Sequence, residues 1–201
     1  MTSGKGRTVI EIKGLPANKN WCKGLAKDLK KKIGVGGSFK NDFIEIRGSN
    51  GSGKSTLLKI FCKLIPSKAC EYRDNFKEHI DYLGHKNSLV EELSIRRNFE
   101  LEDLALDSDI AKNFEIKELY DELCANLSFG EKRKFAIAKL LQAKKKIWVL
   151  DEPFAGLDAV SYDFLVKAFK QHIRSGGTIL LTNHQTEIPD TKKVNLDEKI
   201  S

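Results

Sequence analysis

Three short stretches of this chain carry residue types that chemistry uses. The first is GSNGSGKST, Gly48 to Thr56. Gly48, Gly51 and Gly53 permit backbone angles that aim successive N–H groups inward, and Lys54 supplies a cation long enough to reach a terminal phosphate. Ser49, Asn50 and Ser52 complete the turn, the Ser55 hydroxyl suits a divalent cation, and Thr56 suits donation to an inner phosphate. The second stretch is IWVLDEP, Ile147 to Pro153, an apolar run ending in two adjacent acids. Asp151 suits the shell of a magnesium ion, and Glu152 suits polarising a water in line with a terminal phosphate. The third is TILLTN, which runs straight into His184, a side chain able to hydrogen-bond that phosphate and fix Glu152. Each has a plain structural explanation when taken singly: a flexible turn, a strand ending in solvated acids, a strand-end histidine. Together they ask for a single phosphate-handling site.

Such a site needs elements that bring the three stretches to one place. Strand-like segments occur at Thr8 to Ile12, Asp42 to Gly48, His79 to Gly84, Lys146 to Pro153 and Gly177 to Asn183. The later ones are nearly continuous apolar runs, as expected of strands buried on both faces of a parallel sheet. Helical patterns lie between them: Lys54 to Leu64, ended by Pro66; Leu93 to Ala105; Lys132 to Ala143; and Leu157 to Arg174, closed by Gly176 and Gly177. Strand then helix, repeated, predicts an α/β sheet with helices on its faces, and ligands of such sheets bind at the C-terminal strand edge. The segment Thr8 to Arg47 predicts a small antiparallel flank.

A fourth stretch, LSFGEKRK at Leu127 to Lys134, has two readings. Ser128 and Glu131 have the spacing of a capping box, in which the serine oxygen accepts from the third helical amide and the glutamate answers the serine amide. A capped helix start also attracts anions, so Ser128 and Gly130 would suit a phosphate as well.

The chain has 201 residues, 40% of them hydrophobic and 31% charged, enough for one buried core. No apolar run reaches the length of about 20 residues that spans a bilayer, and the first residues lack the apolar stretch of a secretory signal. Cys22, Cys62, Cys70 and Cys124 lack zinc-site spacing and read as reduced packing residues. Against 28 acids stand 35 bases, a net charge of +7. That excess is compatible with nucleic acid, anionic lipid or a nucleotide-processing surface. Clusters at Lys30 to Lys32 and Lys144 to Lys146 have no interleaved aromatics of the kind a single-strand platform uses.

The order GSNGSGKST, LSFGEKRK, IWVLDEP, AGLD (Ala155 to Asp158) and His184 resembles the nucleotide-binding subunit of an ATP-binding cassette (ABC) transporter over nearly the whole chain. The resemblance implies a P-loop fold with a RecA-like core, a small antiparallel flank and a helical subdomain over about 85–134, all within one domain spanning 1–201. It implies ATP and Mg2+ as ligands, with Ser55 and Asp151 on the metal and Lys54, Glu152 and His184 in hydrolysis. Ser128 and Gly130 would contact the γ phosphate held by a second subunit, giving a head-to-tail dimer with two sandwiched nucleotides. Trp21 would stack on adenine. Integral membrane subunits would be the partners, at the cytoplasmic face of the cell membrane, and no nucleic acid is expected.

Three positions depart from the family pattern. Phe129 replaces a small residue and Glu131 a glutamine, placing a carboxylate near the phosphates unless it turns back into the cap. In YLGHKNS, Lys86 stands where the family has a metal-ligating glutamine, and Asn87 is the neutral neighbour able to substitute. YLGH, DEPFAGLD and TNHQ further resemble the ATP-binding subunit of the cytochrome c maturation system, a haem exporter. Other ABC exporters, and a nucleotide-dependent binding module with little turnover, remain alternatives to that assignment.

Overall fold

In the computed structural model, residues 11–12, 43–65, 70–71, 76–183, 188 and 191–196 are described. In chain order the elements are β1 (Glu11–Ile12), β2 (Phe43–Arg47), α1 (Lys54–Phe61), β3 (Cys70–Glu71), β4 (Ile80–Leu83), α2 (Ile95–Glu100), α3 (Ser108–Phe114), α4 (Phe129–Gln142), β5 (Ile147–Asp151), α5 (Ala159–Arg174), β6 (Thr178–Thr182) and β7 (Lys192–Asn195). Strands β4, β5, β6, β2 and β7 lie side by side in that order. Every pairing among them is parallel. The first and third strands form a separate antiparallel pair, Glu11 opposite Glu71 and Ile12 opposite Cys70. The flank expected over Thr8 to Arg47 thus takes its second strand from beyond that segment, whose residues 13–42 lie outside those described and whose end, Phe43–Arg47, joins the parallel sheet.

Strand alternation divides the apolar residues between two cores. Ile44, Ile46, Ile147, Val149 and Leu180 point to one face, where Leu57, Leu58, Ile60 and Phe61 of α1 cover them. Phe43, Trp148, Leu150, Ile179 and Leu181 point to the other. There they meet Phe135 and Leu140 of α4, Leu165 and Phe169 of α5, and Ile95, Phe99 and Phe114 of the short helices. Because both faces are covered, the runs IWVLD and TILLT needed no polar alternation, which is why they are legible as parallel strands.

The segment expected to be one helix from Leu93 to Ala105 is shorter. Ser94 caps α2 by accepting from the Arg97 amide, and the helix ends at Glu100. Asp103 then takes a positive φ of 53°. A second helix, α3, was not expected; Asp107 caps it by accepting from the amides of Asp109 and Ile110. α1 stops at Phe61 instead of Leu64 because Lys63 adopts φ 57°, while the Leu64 amide reaches back to the Lys59 carbonyl at 2.9 Å. This is the helix-ending turn glycine usually makes, and a lysine there gives no warning in the sequence. β7, KKVN, also went unread: it is an edge strand with one apolar residue, Val194, and its place is set by pairing with β2.

Among the described residues no helix is long and apolar enough to cross a membrane. Cys62 and Cys124 are buried free thiols, and burial pushes that of Cys62 up to about 12.

Candidate nucleotide site

The parallel registers bring the chemistry to one edge. Ile46 pairs with Thr182, and Thr182 pairs with Asp151, so β2, β6 and β5 end in line. The glycine loop leaves the end of β2 and the acids leave the end of β5. Gly48, Gly51 and Gly53 have φ of 155°, 83° and 90°, the conformations expected of them. A Cβ on Gly48 would lie 2.5 Å from the Ser52 oxygen, so close folding of the loop needs the bare backbone there. Gly53 starts α1 without a side-chain cap, which leaves the first-turn amides, including those near Ser55 and Thr56, suited to an anion. Lys54 is buried, and its ammonium donates to the carbonyls of Gly48 and Ser49, both at 2.8 Å. Asn50 and Gly51 are exposed at the tip, and the buried Ser52 hydroxyl has no partner among the described residues. A cradle with folded-in cation and spare donors is what an oligophosphate needs.

Asp151 is 3% exposed, and its Oδ1 accepts from the Thr182 hydroxyl at 2.7 Å. The same hydroxyl oxygen accepts from the Glu152 amide at 3.0 Å. One threonine therefore aligns both acids, and Glu152 leaves the strand with a positive φ of 50°. Opposite it lies Arg133, fully buried. Its Nη2 donates to the Asp151 and Glu152 carbonyls at 2.6 and 2.8 Å, and its Nη1 to the Gly84 carbonyl and Asn87 Oδ1 at 2.7 and 3.1 Å. Burial pulls the guanidinium down to about 10, with the charges of Asp151 and Glu152 opposing that shift, so it remains cationic at neutral pH. Neither Thr182 nor Arg133 was foreseen. Arg133 sits four and seven residues before Ile137 and Leu140, on the buried stripe of α4, and a charge on that stripe was the available signal.

The stretch LSFGEKRK begins α4 with a complete capping box. Ser128 Oγ accepts from the Glu131 amide at 3.3 Å, and Glu131 Oε2 accepts from the Ser128 amide at 2.8 Å and its hydroxyl at 2.7 Å. The bond from the Ser128 hydroxyl, followed by that from its amide, holds the Glu131 carboxyl below the usual range. The charge that seemed out of place is thus turned into the cap. Gly130 packs so closely on the loop after the acids that an added Cβ would stand 2.5 Å from the Gly156 carbonyl oxygen. Phe129 lies against Gly156 and is 45% exposed. Lys134 bridges to Asp158 at 2.5 Å, and Asp158 caps α5 through the Ser161 amide. The Lys134 bond, then the amide, hold the Asp158 carboxyl down at about 2.

The loop Gly48 to Thr56 and the pair Asp151, Glu152 thus share an edge, while Ser128 and Gly130 connect to the acids through α4 and Arg133. Lys86 is exposed, and both ends of the Asn87 amide are engaged, one by Arg133 and one with the Phe129 carbonyl at 3.5 Å. Trp21 and His184 lie outside the described residues.

A parallel sheet with a glycine-lysine phosphate loop at one strand end and paired acids two strands away defines a P-loop nucleotide-binding protein. Residues 39–155 match the ABC transporter family model, and the chain belongs to that family. Among its relatives, the cytochrome c biogenesis ATP-binding export protein CcmA of Dechloromonas aromatica is 32% identical over 177 residues, 78% of this chain and 87% of the relative. The protein of the same name from Histophilus somni is 33% identical, covering 78% and 81%. The ATP-binding subunit of an ABC transporter superposes with a TM-score of 0.66 at 24% identity, over 72% of this chain and 69% of the other. A dimeric ATP-binding cassette in a post-hydrolysis state with ADP and Pi superposes at 0.62 and 23% identity, over 72% and 75%. Those two likenesses establish the ABC ATPase fold, and family membership carries ATP binding with it.

Proposed function

We propose that this chain is the ATP-hydrolysing subunit of an ABC transport complex that serves cytochrome c biogenesis, powering haem export or release of a haem-loaded chaperone. The observation that carries the catalytic part is the alignment of the phosphate loop with Asp151 and Glu152 at one sheet edge. The relatives named as cytochrome c biogenesis export proteins support the biological assignment.

In this reading the loop amides and the Lys54 ammonium bind the phosphates, Lys54 exchanging its two carbonyl partners for phosphate oxygens. Glu152 orients the attacking water, and His184 contacts the γ phosphate. Ser55 and Asp151 would hold Mg2+. Their hydroxyl and carboxylate are hard oxygen donors, and the described residues contain no cluster of three or more metal-ligating acids, histidines or cysteines. That donor set suits an ion that keeps its remaining ligands as water and phosphate. The ion's chemistry is to neutralise charge on the transferring phosphoryl group. Ser128 and Gly130 of one subunit complete the site of another in a head-to-tail dimer, with Trp21 against the adenine. The complex sits at the cytoplasmic face of the membrane through integral partners, and the helical segment within 85–134 is the docking lobe of a single 1–201 domain.

Exposed Phe129, standing at the helix start that would meet the partner's nucleotide, favours a second reading: a nucleotide-dependent module that dimerises with little turnover. One variant separates the two. Purified protein should hydrolyse ATP, and Glu152→Gln should keep ATP binding while losing hydrolysis; binding without hydrolysis in the unaltered protein would establish the module. In the cell of origin, Glu152→Gln at normal abundance should abolish covalent haem in c-type cytochromes while apo-cytochrome persists. Unchanged holo-cytochrome would refute the biogenesis assignment.

A further inference from the structure

Four acceptors converge on one buried cation. The Arg133 guanidinium binds three backbone carbonyls and one amide oxygen, drawn from the end of β4 (Gly84), the loop beyond it (Asn87) and the two acids at the end of β5. None of these partners is a carboxylate oxygen. A fully buried charge of this kind is poorly justified by stability, since well-packed apolar residues commonly do as well. Its geometry offers a different reason for an arginine. The acids need an unusual backbone, because Glu152 leaves the strand in the left-handed region that non-glycine residues rarely adopt. Two adjacent carbonyls accepting from a single Nη2 hold the peptide on either side of that residue. The other nitrogen holds Asn87, whose amide also reaches the Phe129 carbonyl at the capped start of α4. Arg133 itself belongs to the second turn of that helix, so any movement of its start is carried to the acids through a planar, rigid fork.

We propose that Arg133 is a positioning residue for hydrolysis, fixing the orientation of Glu152 and linking it to the Ser128 end of α4 and to the Asn87 loop. The inference rests on the catalytic reading of Glu152 given above. A lysine reaches the same cavity as a point charge and cannot serve four acceptors, so the backbone of Glu152 loses its clamp while the phosphate loop on β2 is untouched.

The test measures single-turnover ATP hydrolysis, ATP affinity and thermal unfolding for the intact protein and for Arg133→Lys, Glu152→Gln and the double variant. Arg133→Lys should slow hydrolysis by about 10- to 100-fold, the scale of a small misplacement of a catalytic group, with ATP affinity within about twofold. In the Glu152→Gln background it should add almost nothing, because the group it positions is gone. Asn87→Ala, a milder change at a half-buried site, should slow hydrolysis by a few-fold with affinity likewise preserved, and it serves if the lysine variant does not fold. Multiplicative losses in the double variant, or a loss appearing in ATP affinity alone, would overturn the positioning role while leaving Glu152 catalytic. Wild-type hydrolysis by Glu152→Gln would instead overturn the catalytic reading and the positioning role with it.

Discussion

Replacing Thr182 by valine removes one oxygen from a fully buried site and keeps the shape of the side chain. That oxygen donates to Asp151 Oδ1 at 2.7 Å and accepts from the Glu152 amide at 3.0 Å. Losing the donor to a buried carboxylate costs about 1.5–3 kcal/mol, and leaving the Glu152 amide without its acceptor costs about 1–3 kcal/mol. The added methyl returns about 1 kcal/mol. The expected net loss is about 1.5–5 kcal/mol, or a fall in Tm of about 3–20 °C for a chain of this size. Thr182→Ser is the matched control: it keeps the hydroxyl and loses one methyl, for about 1 kcal/mol. Urea unfolding followed by circular dichroism separates the two. Hydrolysis should fall with the valine variant and persist with the serine variant, since only the former releases both acids. A valine variant as stable as the serine variant, with normal turnover, would refute the bridging role of this hydroxyl.

Two further outcomes follow from the caps. Ser128→Ala removes the acceptor for the Glu131 amide and one of the two donors to the Glu131 carboxylate, leaving only the backbone amide of residue 128 on it; stability should fall by about 1 kcal/mol in urea unfolding, the usual worth of such a cap. Asp158 is held at about 2 in the folded chain against 3.8 normally, so its contribution is complete above that normal value and is lost as pH falls through the window between them. Because its side chain is 50% exposed, solvent screening keeps the effect to a fraction of 1 kcal/mol. Asp158→Asn should flatten the loss of stability between those pH values, measured by unfolding at each pH, and an unchanged slope would show that the Lys134 pair contributes nothing.

The readable parts of this protein are those whose physics is local. The phosphate loop is nine contiguous residues, its glycines required by their own backbone angles, and the strand before it and helix after it are visible in apolar spacing. The capping box joins residues three apart, so Ser128 and Glu131 declared themselves without any tertiary knowledge. The acids were legible because two charges closing a buried strand are unusual in themselves. What escaped depends on residues far apart along the chain. Arg133 meets Gly84 across 49 positions and Asp151 across 18, and Thr182 meets Asp151 across 31. Within its own neighbourhood, EKRK, Arg133 looks like one more solvated cation. β7 is a strand because β2 offers it an edge, and the end of α1 is set by a lysine in a turn that glycine would have announced. Local sequence thus determined which groups could do phosphate chemistry. Only the stacking of parallel strand ends and the burial of one face of α4 decided which groups hold them in place, because a hydrogen bond between distant residues exists only once packing has brought them together.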